Sequence, residues 1–168
     1  MAYGAPVRRV ALVGFGLALA GCGYRFTAGG APLADGTREV FAPVFVNRTA
    51  EPAIEATFTQ AFREELVRAG VAGGAASDAR AEGEILGIGG SPRVLQPAGG
   101  LASYRLSATA KLRLVKGEKV LAEAVVNGEE DYLPGADPLQ LEANRQAAVK
   151  RLAQQMMRDA YSRLANGW

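Results

Sequence analysis

Between Ser103 and Val115 apolar and polar side chains alternate without a break. Tyr104, Leu106, Ala108, Ala110, Leu112 and Leu114 stand against Ser103, Arg105, Ser107, Thr109, Lys111 and Arg113. A period of two sends successive side chains to opposite sides of an extended backbone, so this stretch reads as a strand with one apolar face and one polar, basic face. Lys116-Gly117-Glu118 supplies a turn, and residues 119–127 return with Val120, Ala122, Ala124 and Val126 alternating in their turn. The return strand is expected to run on through Gly128 to Tyr132 and to stop at Leu133-Pro134-Gly135. A lone hairpin is at best marginally stable in water, so the rest of the chain must cover its apolar face.

Two segments have the period to do so. In residues 53–69, Ile54, Phe58, Ala61, Phe62 and Leu66 recur at spacings of three and four, Pro52 suits the first turn, and Gly70 ends the helix. Phe58 and Phe62 read as core rather than as a ligand groove, because a helix beside a sheet must bury one stripe. Asp137-Pro138 opens a second helix with Gln140 at the capping-box position. Leu141, Ala148, Leu152, Met156, Ala160 and Leu164 mark its buried stripe to about Ala165, with Gly167 beyond.

Ahead of the first helix, residues 40–46 read as a strand, Pro43 indicating an edge or a bulge, and Asn47-Arg48-Thr49 turns the chain. Residues 82–88 read as a short strand. Gly89-Gly90-Ser91-Pro92 and residues 96–100 read as a mobile connection. The order strand, helix, strand, hairpin, helix defines an α+β fold: a four-stranded mixed sheet with two amphipathic helices packed on one face.

Composition removes most chemistry. The chain has no histidine and one cysteine, which argues against a zinc enzyme, a histidine-based triad and a disulfide framework. Glu64 with Glu65, and Glu129 with Glu130, are adjacent, so their carboxylates point apart instead of converging on a substrate. The glycine runs lack the lysine and hydroxyl residue of a phosphate loop. No catalytic residue, metal ligand or small-molecule cofactor is assigned, and the chain is read as a non-enzyme.

At the N-terminus, Arg8 and Arg9 precede an apolar run at residues 10–18 that is too short to span a bilayer. Leu19-Ala20-Gly21-Cys22 follows, and this order resembles the lipobox of bacterial lipoproteins. The resemblance implies that residues 1–21 are a signal peptide that is removed. Cys22 then carries a diacylglyceryl group and an N-acyl chain of the palmitate type. Residues 22–36 form a lipidated tether and residues 37–168 a single domain. Several acyl chains make a stable anchor where one is marginal. Gly23 is not the aspartate that retains many such proteins at the inner membrane, so the outer membrane, on its periplasmic face, is the expected place. Without Arg8 and Arg9 the mature chain has 17 basic residues (19 minus 2) against 17 acidic, so net charge gives nucleic-acid binding no support.

Cys22-Gly23-Tyr24-x-Phe26, the run Val-Phe-Ala-Pro-Val-Phe-Val ahead of Asn47-Arg48-Thr49, and the helix around Phe58-Thr59-Gln60-Ala61-Phe62 resemble LptE, the LPS-assembly lipoprotein family. The resemblance implies a non-enzymatic plug and scaffold for an LptD-type outer-membrane β-barrel, with lipopolysaccharide as its second partner and the membrane reached through the lipid anchor. From Arg93 to Lys119 the cations Arg93, Arg105, Lys111, Arg113, Lys116 and Lys119 face Glu118 alone, a local positive patch suited to lipid A phosphates. The plainer reading of the same residues is a solvated strand face. The strand, turn and helix at the start are also similar to LpoB-type activators of peptidoglycan synthases. Those carry a long spacer after the lipidated cysteine, whereas the spacer here, from Gly23 to about Arg38, is short.

Overall fold

The computed structural model describes residues 33–94 and 102–166. Cys22, the signal segment, most of the tether, residues 95–101 and Gly167 lie outside the described residues. The elements run β1 (Val40–Phe41), β2 (Val46–Asn47), α1 (Ile54–Arg68), β3 (Ala79–Val94), β4 (Ala102–Lys116), β5 (Lys119–Tyr132) and α2 (Pro138–Asn166).

The sheet is mixed, as the sequence predicts. β1 and β2 pair parallel with β3, and β3, β4 and β5 form an antiparallel meander. The expected first strand is present in two short pieces. Between them Phe45 turns into the core, and its amide donates to Thr59 Oγ1 at 2.9 Å, while Arg63 donates twice to the Ala42 carbonyl, at 2.9 and 2.7 Å. Side chains of α1 thus satisfy the backbone groups that the break at Pro43 removes from the ladder.

The short third strand and the connection after it need correction. β3 covers 16 residues, and Gly89, Gly90, Ser91 and Pro92 belong to it, paired with Ser107, Leu106, Arg105 and Tyr104. Strand-poor residues are held there by a complete antiparallel partner, so the ladder overrides local propensity.

α1 begins after Pro52 rather than at it. Ala53 precedes the helix in the left-handed region at φ 61°, because the loop before it is knotted by Asn47. Its C-terminus follows the expected glycine stop: Gly70 has φ +71°, Gly70 N–H donates to Val67 C=O, and Val71 N–H donates to Leu66 C=O. In α2, Asp137 Oδ1 accepts from the Gln140 amide at 2.8 Å, and Gln140 Oε1 reaches back to the Ala136 amide at 2.7 Å.

The core lies between the sheet and the two helices. Phe58, Phe62 and Leu66 of α1, Leu152, Met156, Ala160 and Leu164 of α2, and Leu106, Ala110, Leu112 and Leu114 of β4 are all buried. One strand face departs from the sequence reading. A bulge at Leu121 lets Val115 pair with Val120 but Leu114 with Ala122, so Val120 turns to the outer face and is exposed.

Candidate functional site

The outer face of the sheet, away from the helices, carries the predicted cations. It also gathers carboxylates that lie far away in sequence. Arg105 Nε lies 2.8 Å from Asp131 Oδ1, and its Nη1 lies 2.8 Å from Glu129 Oε2. Arg93 Nη1 is 3.3 Å from the same Asp131. Lys111 Nζ is 2.9 Å from Glu123, Arg113 Nη2 is 3.2 Å from Glu82, and Thr109 donates to Asn127 at 2.8 Å. The hydrogen bond to Asp131 holds the Arg105 guanidinium above its ordinary pKa, burial opposing.

Four of the six predicted cations therefore sit in cross-strand ion pairs, and the structure brings them together with Glu82, Glu123, Glu129 and Asp131 rather than with Glu118 alone. Lys116 and Lys119 have no ion-pair partner among the described residues, and they face each other at the hairpin tip. The tip itself is a two-residue turn with Gly117 first, at φ +60°. Beside the charged ladder, Val44, Val46, Val120 and Val125 are exposed. The result is a polar surface on which most charges are balanced by cross-strand partners.

The helix side holds a groove of about 650 Å³ between the first half of α1 and the first half of α2. Arg145 bridges it, with Nη2 2.7 Å from Glu51, and that hydrogen bond holds the guanidinium above its ordinary pKa. The loop motif Asn47-Arg48-Thr49 stands at the same end and is structural. Asn47 Nδ2 donates to the Glu51 carbonyl at 2.7 Å and to Glu55 at 2.9 Å, while Oδ1 accepts from both the amide and the hydroxyl of Thr49 at 2.8 Å. Among the described residues no group of three or more histidine, cysteine, aspartate or glutamate side chains is placed to hold a metal ion. No helix among them is long and apolar enough to cross a membrane.

The chain is a small α+β domain, a mixed sheet with two helices on one face and an ion-paired polar surface on the other. The LptE lipopolysaccharide-assembly family model matches residues 37–164, so the chain belongs to the LptE family, a family of non-catalytic LPS-assembly lipoproteins of the envelope. Solved structures share the fold. The hypothetical protein CT253 from Chlamydia trachomatis aligns over 77% of this chain and 97% of its own, with TM-score 0.54 and 11% identity. A Caulobacter crescentus CB15 protein assigned as a lipoprotein aligns over 73% and 89%, with TM-score 0.50 and 14% identity. Rare lipoprotein B from Shewanella oneidensis aligns over 76% and 92% at 16% identity, but its TM-score of 0.46 is too low to count it among structures of the same fold. At these identities the likeness concerns the fold alone. No curated protein matches the chain in sequence.

Proposed function

We propose that this protein is an outer-membrane lipoprotein, lipidated at Cys22, that seats in an LptD-type β-barrel as plug and scaffold and assists lipopolysaccharide assembly by binding rather than catalysis. Family membership over residues 37–164 is the observation that carries this reading. The outer sheet face supports it, because a barrel interior is polar and water-filled, and four of the six cations on this face already have carboxylate partners, which leaves only Lys116 and Lys119 at the hairpin tip to be met by water or by a partner.

Lipopolysaccharide is the second proposed partner, with Arg93, Arg105, Lys111, Arg113, Lys116 and Lys119 as candidate contacts. Lipid A phosphates would compete with carboxylates for the first four. Lys116 and Lys119 are the two for which no such competitor stands among the described residues.

Depletion tests the proposal. If it holds, loss of this protein lowers the amount of folded barrel in the outer membrane and the lipopolysaccharide at the cell surface, and Cys22→Ser reproduces the defect. Normal barrel levels with impaired peptidoglycan synthesis would contradict it and favour the activator reading.

A further inference from the structure

We propose that the far half of β3, from Gly87 to Arg93, is an open sheet edge that receives an extended segment of the barrel partner; this rests on the plug reading above. β2 stops opposite Ile85, and the last rung on that side is Arg48 N–H to Ile85 C=O at 2.9 Å. The Asn47 knot forces the stop by turning the chain into α1. Beyond Ile85, β3 pairs with β4 on one side and with no strand on the other among the described residues.

Pro92 fixes which groups face the open side. It sits in the ladder opposite Tyr104 yet has no N–H, so its position must be one whose backbone groups point away from β4. In an antiparallel ladder that orientation recurs every second residue. Gly90 and Ile88 therefore turn both N–H and C=O to the open edge.

The two edges of the sheet are treated differently. β5 carries Lys119, Glu123, Glu129 and Asp131, contains the bulge at Leu121, and has its Val125 carbonyl accepting from Arg163 at 3.3 Å. These are the devices that keep an edge from pairing with a stranger. β3 has its own register shift at Leu86, just before the open stretch, and Pro92 and Arg93 at the far end, but the five residues between, Gly87 to Ser91, carry no charge, proline or bulge. Gly87 and Gly89 add a second sign. Neither has positive φ, and a Cβ on either would meet nothing within 4 Å. The fold itself does not require glycine there, and glycine at both positions keeps this stretch free of side-chain bulk beside an incoming strand.

The size of the edge selects the occupant. Seven residues at about 3.4 Å each make a strip about 24 Å long, and with a thickness of about 10 Å pairing hides on the order of 500 Å² in total. A stable dimer needs about 1,200 Å² or more, so a second copy is not held by this edge alone. A partner gripped elsewhere as well, as a plug is by its barrel, can add one strand here.

The test is recovery of the barrel with tagged full-length lipoprotein from gently solubilised outer membrane. Gly90→Pro removes one outward donor while sparing the groups that face β4, and Gly89→Lys places a guarding charge in open space. Both are expected to leave thermal unfolding of the free protein close to wild type and to lower barrel recovery about fivefold or more. A photo-reactive residue at Ser91 is expected to yield an adduct with the barrel. Undiminished recovery with Gly89→Lys, or an adduct between two copies of this chain, would overturn the edge proposal. If wild type recovers no barrel, the plug reading fails and this inference falls with it.

Discussion

Phe45 lies across the backbone of Gly83. A Cβ at residue 83 would stand 2.6 Å from the ring, and Phe45 itself is buried against Phe62 with ring centroids 5.8 Å apart. The ring has nowhere to move, since it fills the break between β1 and β2. Gly83→Ala should therefore destabilise the domain by about 1–3 kcal/mol. Gly87→Ala, where the added carbon meets open space at ordinary φ, should stabilise it by about 0.5–1 kcal/mol. Denaturant unfolding of the two variants checks both signs.

Met156 stands over Gly128 in the same way, with Cγ 2.5 Å from the position of an added Cβ. Here the neighbours are side-chain atoms of Met156 and Leu152. Methionine is flexible, so Gly128→Ala should cost less than Gly83→Ala, about 1 kcal/mol. An equal or larger loss in the same unfolding assay would show that α2 cannot yield at that point.

The strict alternation of β4 made the hairpin, its inner face and most of the core legible, and the 3.6-residue stripes did the same for both helices. The pairing of the charges was less accessible. Counting back from the Gly117-Glu118 turn puts Arg105 opposite Glu130, whereas the bulge at Leu121 moves Asp131 there and leaves Glu130 to Arg151 of α2, 2.5 Å away. A signal for this was present. A two-residue turn pairs Val115 with Val120 and so puts both on the outer face. An inner set of Ala122, Ala124 and Val126 then demands one extra residue in between. The extension of β3 through Gly89-Gly90-Ser91-Pro92 had no local signal, because it depends on partners supplied by β4.

If the outer face binds lipopolysaccharide through its cations, removing a competing carboxylate should strengthen binding. Asp131→Asn, which frees Arg93 and leaves Arg105 with Glu129 as its one carboxylate partner, is expected to tighten lipopolysaccharide binding at low salt. The pair Lys116→Ala with Lys119→Ala is expected to weaken it about tenfold. Titration of purified protein with lipopolysaccharide reads both; unchanged affinity in the two variants would remove this face from the contact.

Alkaline pH should destabilise the domain through its buried phenols. Burial raises the pKa of Tyr132, Arg145 partly opposing, and burial likewise raises that of Tyr161, each above the ordinary 10.0. Between the unfolded value and the raised folded values the unfolded chain binds fewer protons, so stability falls as pH climbs past about 10. Stability measured against pH should show this decline, and Tyr132→Phe should flatten it.

The proposed role requires a stoichiometric complex with an outer-membrane β-barrel. The most direct measurement is to solubilise the outer membrane gently, capture the tagged protein with Cys22 intact, and identify and count what copurifies. One large β-barrel per copy of this chain is expected. A peptidoglycan synthase in its place, with no barrel, would contradict it.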